Sequence, residues 1–166
     1  MQKSTLILVR AGVIGGLYVV LSLITMPIAS GAIQFRISEA LTLLPLFFLE
    51  AIPALFVGCM LSNLITGCML LDVVLGSVIT LVASLFTYII GRTVKNTFLR
   101  IFFGGLFPVM LNALLLPLIW IKVYGVIEHA YYLQALFLII SQSISVYACG
   151  TPLFFALRKL KAIERK

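Results

Sequence analysis

Gln34-Phe35-Arg36-Ile37-Ser38-Glu39-Ala40-Leu41-Thr42-Leu43-Leu44-Pro45 is a polar island between two long apolar runs. Arg36 and Glu39 stand three residues apart, on one side of a helix start. A charge at the edge of a membrane costs free energy unless it is paired, snorkelled to the interface or put to use. The rest of the chain makes a membrane the relevant solvent. Of 166 residues, 63% are hydrophobic and 10% charged, and the mean hydropathy is +1.22. A soluble domain averages roughly 45–50% apolar and about 25% charged. The composition is that of an all-α integral membrane protein. A spanning helix needs about 20 apolar residues, so the chain holds one membrane domain, residues 1–166, of six helices with short loops.

Working outward from the island, six apolar segments are predicted, at residues 6–27, 37–49, 51–66, 70–91, 101–121 and 131–157. The second is short and carries Pro45. The turn Glu50-Ala51-Ile52-Pro53 is tight, so segments two and three read either as two spans or as a re-entrant hairpin. Both return the chain to the same side. Pro53 falls in a first turn, where proline is tolerated, whereas Pro108 and Pro117 are placed to bend the fifth segment. Lys3, Arg10 and the small residues Ala29-Ser30-Gly31 have the outline of a cleavable leader. The long apolar run between them favours a retained first span.

Charge sets the expected orientation. Lys3, Arg10, Arg92, Lys95, Arg100, Arg158, Lys159, Lys161, Arg165 and Lys166 fall at the N-terminus, the fourth-to-fifth loop or the C-terminal tail. Six crossings put all three places on one side, leaving Arg36 and Lys122 on the other. The positive-inside rule makes that side, with both termini, cytoplasmic. The basic tail and loop then meet anionic lipid headgroups, and nucleic acid is not needed to explain them. Glu39, Asp72 and Glu128 fall toward the outer side, with Glu50 and Glu164 inside. A locally acidic outer vestibule suits a substrate that is cationic or rich in N–H donors.

Soluble-enzyme chemistry is missing from the sequence. There is no G-x-x-x-x-G-K-[ST] loop for ATP and no H-E-x-x-H metal motif. His129 is the only histidine. Cys59, Cys68 and Cys149 form no C-x-x-C pair and read as small hydrophobes. No catalytic residue, metal site or resident cofactor is expected. Polar side chains inside the apolar runs are more informative: Asn63, Asn112 and Gln142. Each alone reads as helix–helix glue, since a buried amide needs a partner. Together with Arg36, Glu39, Asp72 and Glu128 they read as the lining of an outward-facing pocket. Trp120, Tyr124, Tyr131 and Tyr132 read as an interfacial belt, with one or two free to stack on a planar ligand. On the first segment, Ala11 with Gly15 and Gly12 with Gly16 let a second helix approach closely. That helix belongs either to this chain or to a membrane partner.

The island itself, Gly58-Cys59-Met60-Leu61-Ser62-Asn63 and Asp72-Val73-Val74-Leu75-Gly76-Ser77 resemble the QueT family over nearly the whole chain. The resemblance implies an S component, the substrate-binding subunit of an energy-coupling factor transporter. The resemblance implies a six-helix S-component fold in the bacterial plasma membrane with both termini inside. It implies a queuosine precursor as substrate, a 7-substituted 7-deazaguanine or queuine. It implies a membrane-embedded coupling subunit and two ATPase subunits as partners, with ATP used by those subunits and not by this chain. In S components an A-x-x-x-A motif on the first helix meets the coupling subunit; here Ala11-x-x-x-Gly15 or Gly12-x-x-x-Gly16 would take that place. From the residues alone, two alternatives stay open: a stand-alone secondary transporter or channel for a small polar or cationic metabolite, and a structural membrane subunit with no ligand.

Overall fold

The computed structural model describes residues 3–29, 35–125 and 131–163. Every element among the described residues is helical. α1 (Lys3–Ala29) is followed by a 3-10 helix (Ile37–Leu46), α2 (Ala51–Ile65), α3 (Leu70–Thr93) and α4 (Thr97–Tyr124). α5 (Tyr131–Ser143), a π-helical stretch (Ile144–Cys149) and α6 (Gly150–Ile163) complete the chain. Four stretches are long and apolar enough to cross a membrane: Ser4–Ala29, Leu70–Thr93, Thr97–Lys122 and Tyr131–Leu160. The 10-residue 3-10 helix and the 15-residue α2 are shorter. At about 2.0 and 1.5 Å per residue, each falls short of the ~30 Å hydrocarbon core.

The 3-10 helix is the centre of the molecule. Ser38 through Leu46 are all buried, so the segment is covered on every side, its polar Ser38, Glu39 and Thr42 included. α1, α3, α4, α6 and the π stretch all pack on it. The fit is closest at Gly91, near the end of α3: a Cβ there would lie 2.8 Å from both the Cα and the carbonyl oxygen of Leu46. No side chain fits at that separation, so glycine is needed.

α1 is peripheral. One stripe, Ile14, Tyr18, Ser22 and Thr25, is buried, at the i, i+4 spacing of a single helix face. The opposite face exposes Val9, Val13, Leu17, Val20 and Ile24. α4 runs unbroken through Pro108 and Pro117. A proline has no N–H for the carbonyl four residues back. For Pro108 that carbonyl belongs to Gly104, and the Thr87 hydroxyl of α3 donates to it at 2.7 Å. The orphaned acceptor is thus satisfied from a neighbouring helix. Asn96 caps the start of α4 by accepting from the N–H groups of Phe98 (2.9 Å) and Leu99 (3.3 Å).

The predicted sixth segment is one continuous path but not one regular helix. Its middle widens into the π stretch, which seats Tyr147 against α4. The Tyr147 hydroxyl donates to the Phe102 carbonyl at 2.8 Å.

Candidate functional site

The buried stripe of α1 carries polar groups straight to the start of the 3-10 helix. The Tyr18 hydroxyl donates to Glu39 Oε1 at 2.7 Å. Ser22 donates to the Ser38 hydroxyl at 2.8 Å. The second Glu39 oxygen, Oε2, accepts from Asn112 Nδ2 of α4 at 3.5 Å. Glu39 is 3% exposed, so a carboxylate is held deep in the protein by two neutral donors. Both act as charge-assisted hydrogen bonds if it is ionised.

Arg36 and Glu39, although three residues apart, form no ion pair with each other. The Arg36 backbone is extended (φ −125°, ψ 111°) and precedes the first helical turn, so its side chain leaves the face that Glu39 occupies. The guanidinium donates instead to Asn63 Oδ1 of α2 at 3.1 Å. Asn63 Nδ2 in turn points at Cys59 Sγ, 3.6 Å away. Thr80 of α3 donates to the same sulfur at 3.4 Å. Asp72, in the first turn of α3, accepts from the Trp120 indole N–H at 3.1 Å. Gln142 closes the far side; its Oε1 is buried and has no donor among the described residues.

These groups surround a single cavity of about 100 Å³. Arg36, Glu39, Asn63, Asp72, Asn112 and Gln142 all line it, joined by Cys59, Cys68, Gly76, Thr80, Leu116 and Trp120. Five elements thus deliver six of the seven side chains singled out in the sequence. The seventh, Glu128, lies outside the described residues. The lining holds two carboxyl groups and one guanidinium, a surplus of one negative charge when all three are ionised. Among the described residues the ion pair is elsewhere, between Arg10 and Glu50 at 3.6 Å. The cavity is built from the start of α3 and the end of α4. Arg92 and Arg100 sit at the opposite ends of those helices, so the site and the basic surface lie at opposite poles.

Several of the groups at the site were not anticipated. Tyr18 has no mark in a sequence window, although Tyr18, Ser22 and Thr25 repeat at helical spacing within an apolar helix. Trp120 is a cavity wall anchored by Asp72, where a belt position was the expectation. Thr80 bonds the Gly76 carbonyl of its own helix at 3.0 Å and also reaches the Cys59 sulfur.

The two small-residue pairs of α1 separate. Gly15 faces α2, where a Cβ would come within 3.1 Å of the Ala54 carbonyl oxygen, and Ala11 packs on the same core. Gly12 and Gly16 have nothing within 4 Å of an added Cβ. One face therefore serves internal packing and the other is open.

A family profile described as QueT transporter matches residues 8–159. No curated protein and no solved structure gives a significant match.

Proposed function

The chain belongs to the QueT transporter family, a family of transporters and not of enzymes, and we propose that its cavity is the capture site for a queuosine precursor, a 7-deazaguanine derivative or queuine. On this reading the chain is the S component of an energy-coupling factor importer in the bacterial plasma membrane. Both termini are cytoplasmic and the cavity opens outward. The two short helices complete a six-helix bundle, a coupling subunit docks on the open Gly12/Gly16 face of α1, and two ATPase subunits supply the energy.

The observation that carries this reading is the convergence of Glu39, Asn112, Gln142, Arg36, Asn63 and Asp72 on one cavity. A guanine-like edge presents adjacent N–H donors, which a carboxylate or an amide oxygen accepts, and a carbonyl, which a guanidinium or amide N–H satisfies. Glu39 and the Gln142 oxygen, which has no partner among the described residues, supply the acceptors; Arg36 and Asn112 supply donors. An aminomethyl substituent is cationic and balances the surplus carboxylate charge. The chain binds, orients and desolvates; ATP is hydrolysed by the partner subunits.

Calorimetric titration of detergent-purified protein tests this, using 7-aminomethyl-7-deazaguanine, 7-cyano-7-deazaguanine and queuine, with guanine and riboflavin as controls. Tight binding of one deazapurine without any partner protein is expected. Folded protein that binds none of them would remove the assignment.

A second expectation concerns Trp120, the only tryptophan in the chain. Ligand entry is expected to change its fluorescence. Trp120→Leu is expected to weaken binding by roughly two- to tenfold, the worth of an aromatic contact. Asp72→Asn, which keeps an acceptor for the indole N–H, is expected to preserve the unliganded emission maximum, and Asp72→Leu to shift it. An emission that ignores saturating ligand would place the ligand away from this wall.

A further inference from the structure

The basic pole carries two crossed cations, neither paired with an acid among the described residues. Arg100, in the first turn of α4, donates to the Leu46 carbonyl at the end of the 3-10 helix. Its guanidinium lies over the rings of Phe47 (5.4 Å) and Phe154 (6.0 Å). Arg158 of α6 reaches the other way and donates to Thr97 of α4 at 2.9 Å. Thr97 lies three residues before Arg100 and Phe154 four before Arg158, so each pair shares a helix face. The two arginines are therefore laced across one α4–α6 junction. Neither forms an ion pair among the described residues. The Arg100 Nε is buried and without an acceptor among them.

Like charges held together at a half-buried junction repel, and a shared anion reverses the sign of that interaction. The guanidinium fork matches phosphate oxygens two at a time. A second observation indicates which phosphate. Phe103, three residues beyond Arg100, is 39% exposed, and Phe155, three residues before Arg158, is 51% exposed. Helical spacing puts each on its arginine's side of the helix, one turn farther from the basic pole. Cations at the boundary with bare aromatic surface beneath them suit a headgroup above and an acyl chain below. A free anion would need only the cations.

We propose that Arg100 and Arg158 clasp the phosphate of an anionic phospholipid whose acyl chains lie along Phe103 and Phe155, in the leaflet that meets the basic pole.

The test is native mass spectrometry of the full chain released from nanodiscs of phosphatidylcholine containing phosphatidylglycerol, counting the lipids retained. Wild type is expected to keep phosphatidylglycerol preferentially. R100Q/R158Q is expected to lower that preference by more than about tenfold, and K95Q/K159Q, which removes the same charge, by less than about twofold. Arg100 also holds the end of the 3-10 helix, so R158Q is made alone, with an expected loss of roughly fivefold. If the double variant does not fold, R158Q decides. Inorganic phosphate at millimolar concentration is expected to leave the lipid bound. Equal losses in both double variants would mean diffuse attraction and overturn the site. So would a wild type with no preference for phosphatidylglycerol. Displacement by inorganic phosphate would make it a free-anion site and overturn the lipid assignment.

Discussion

Glu39→Gln is expected to weaken binding of 7-aminomethyl-7-deazaguanine by roughly thirtyfold to a few thousandfold, the 2–5 kcal/mol lost when one partner of a buried charged contact is removed. The substitution keeps the size of the side chain. The new amide oxygen still accepts from Tyr18, now 2.7 Å from Oε1. The new amide nitrogen faces Asn112 Nδ2, which donates to Oε2 at 3.5 Å in the native chain. Donor then opposes donor, and the ligand loses its charged acceptor. Stability should not follow affinity downward, because a buried carboxylate without an ion pair among the described residues is itself costly. Calorimetry and thermal unfolding on the same preparation separate the two effects. Unchanged affinity would remove Glu39 from ligand recognition. A parallel fall in unfolding temperature would make it a structural group.

Gly15→Leu and Gly16→Leu are expected to fail in opposite ways although they are adjacent. At Gly15 even a Cβ lies 3.1 Å from the Ala54 carbonyl oxygen. A leucine forces α1 off α2, and overpacking of this kind costs about 1–3 kcal/mol. Because Tyr18 rides on the same helix turn, displacement also loosens its bond to Glu39, so ligand affinity falls with stability. At Gly16 nothing lies within 4 Å. Leucine there should leave unfolding temperature and ligand affinity unchanged while abolishing co-purification with the coupling subunit, since it fills the face on which that subunit is proposed to dock. Gly12→Leu should behave as Gly16→Leu does. Normal assembly by both outer-face variants would move the docking surface elsewhere on the molecule.

The helical architecture was legible because lipid-facing helices announce themselves by composition, and the polar residues of the site because amides and acids stand out in apolar runs. The illegible parts all depend on partners distant in the chain. Arg36 chooses Asn63, 27 positions away, over Glu39, three away, because its own backbone is extended. Asp72 and Trp120 meet across 48 positions. A short apolar run such as Ile37–Leu46 has the same sequence appearance whether it coils as an α-helix or a 3-10 helix. Its tighter coil comes with helices packed on all sides. The π stretch likewise has no local signature; it accompanies the seating of Tyr147 on the bare backbone of Gly105, where a Cβ would lie 2.6 Å from the ring.

The 3-10 helix is pinned at both ends by long side chains from other elements: Tyr18 grips Glu39 near one end, and Arg100 grips the Leu46 carbonyl at the other. Seven residue steps separate the pins. A 3-10 coil spans about 14 Å over those steps and an α-helix about 10.5 Å. Recoiling would shorten the rod by about 3.5 Å, more than the length of a hydrogen bond, and one pin would have to let go. The segment therefore acts as a ruler: while both grips hold, the distance between the acidic cavity and the basic pole is fixed.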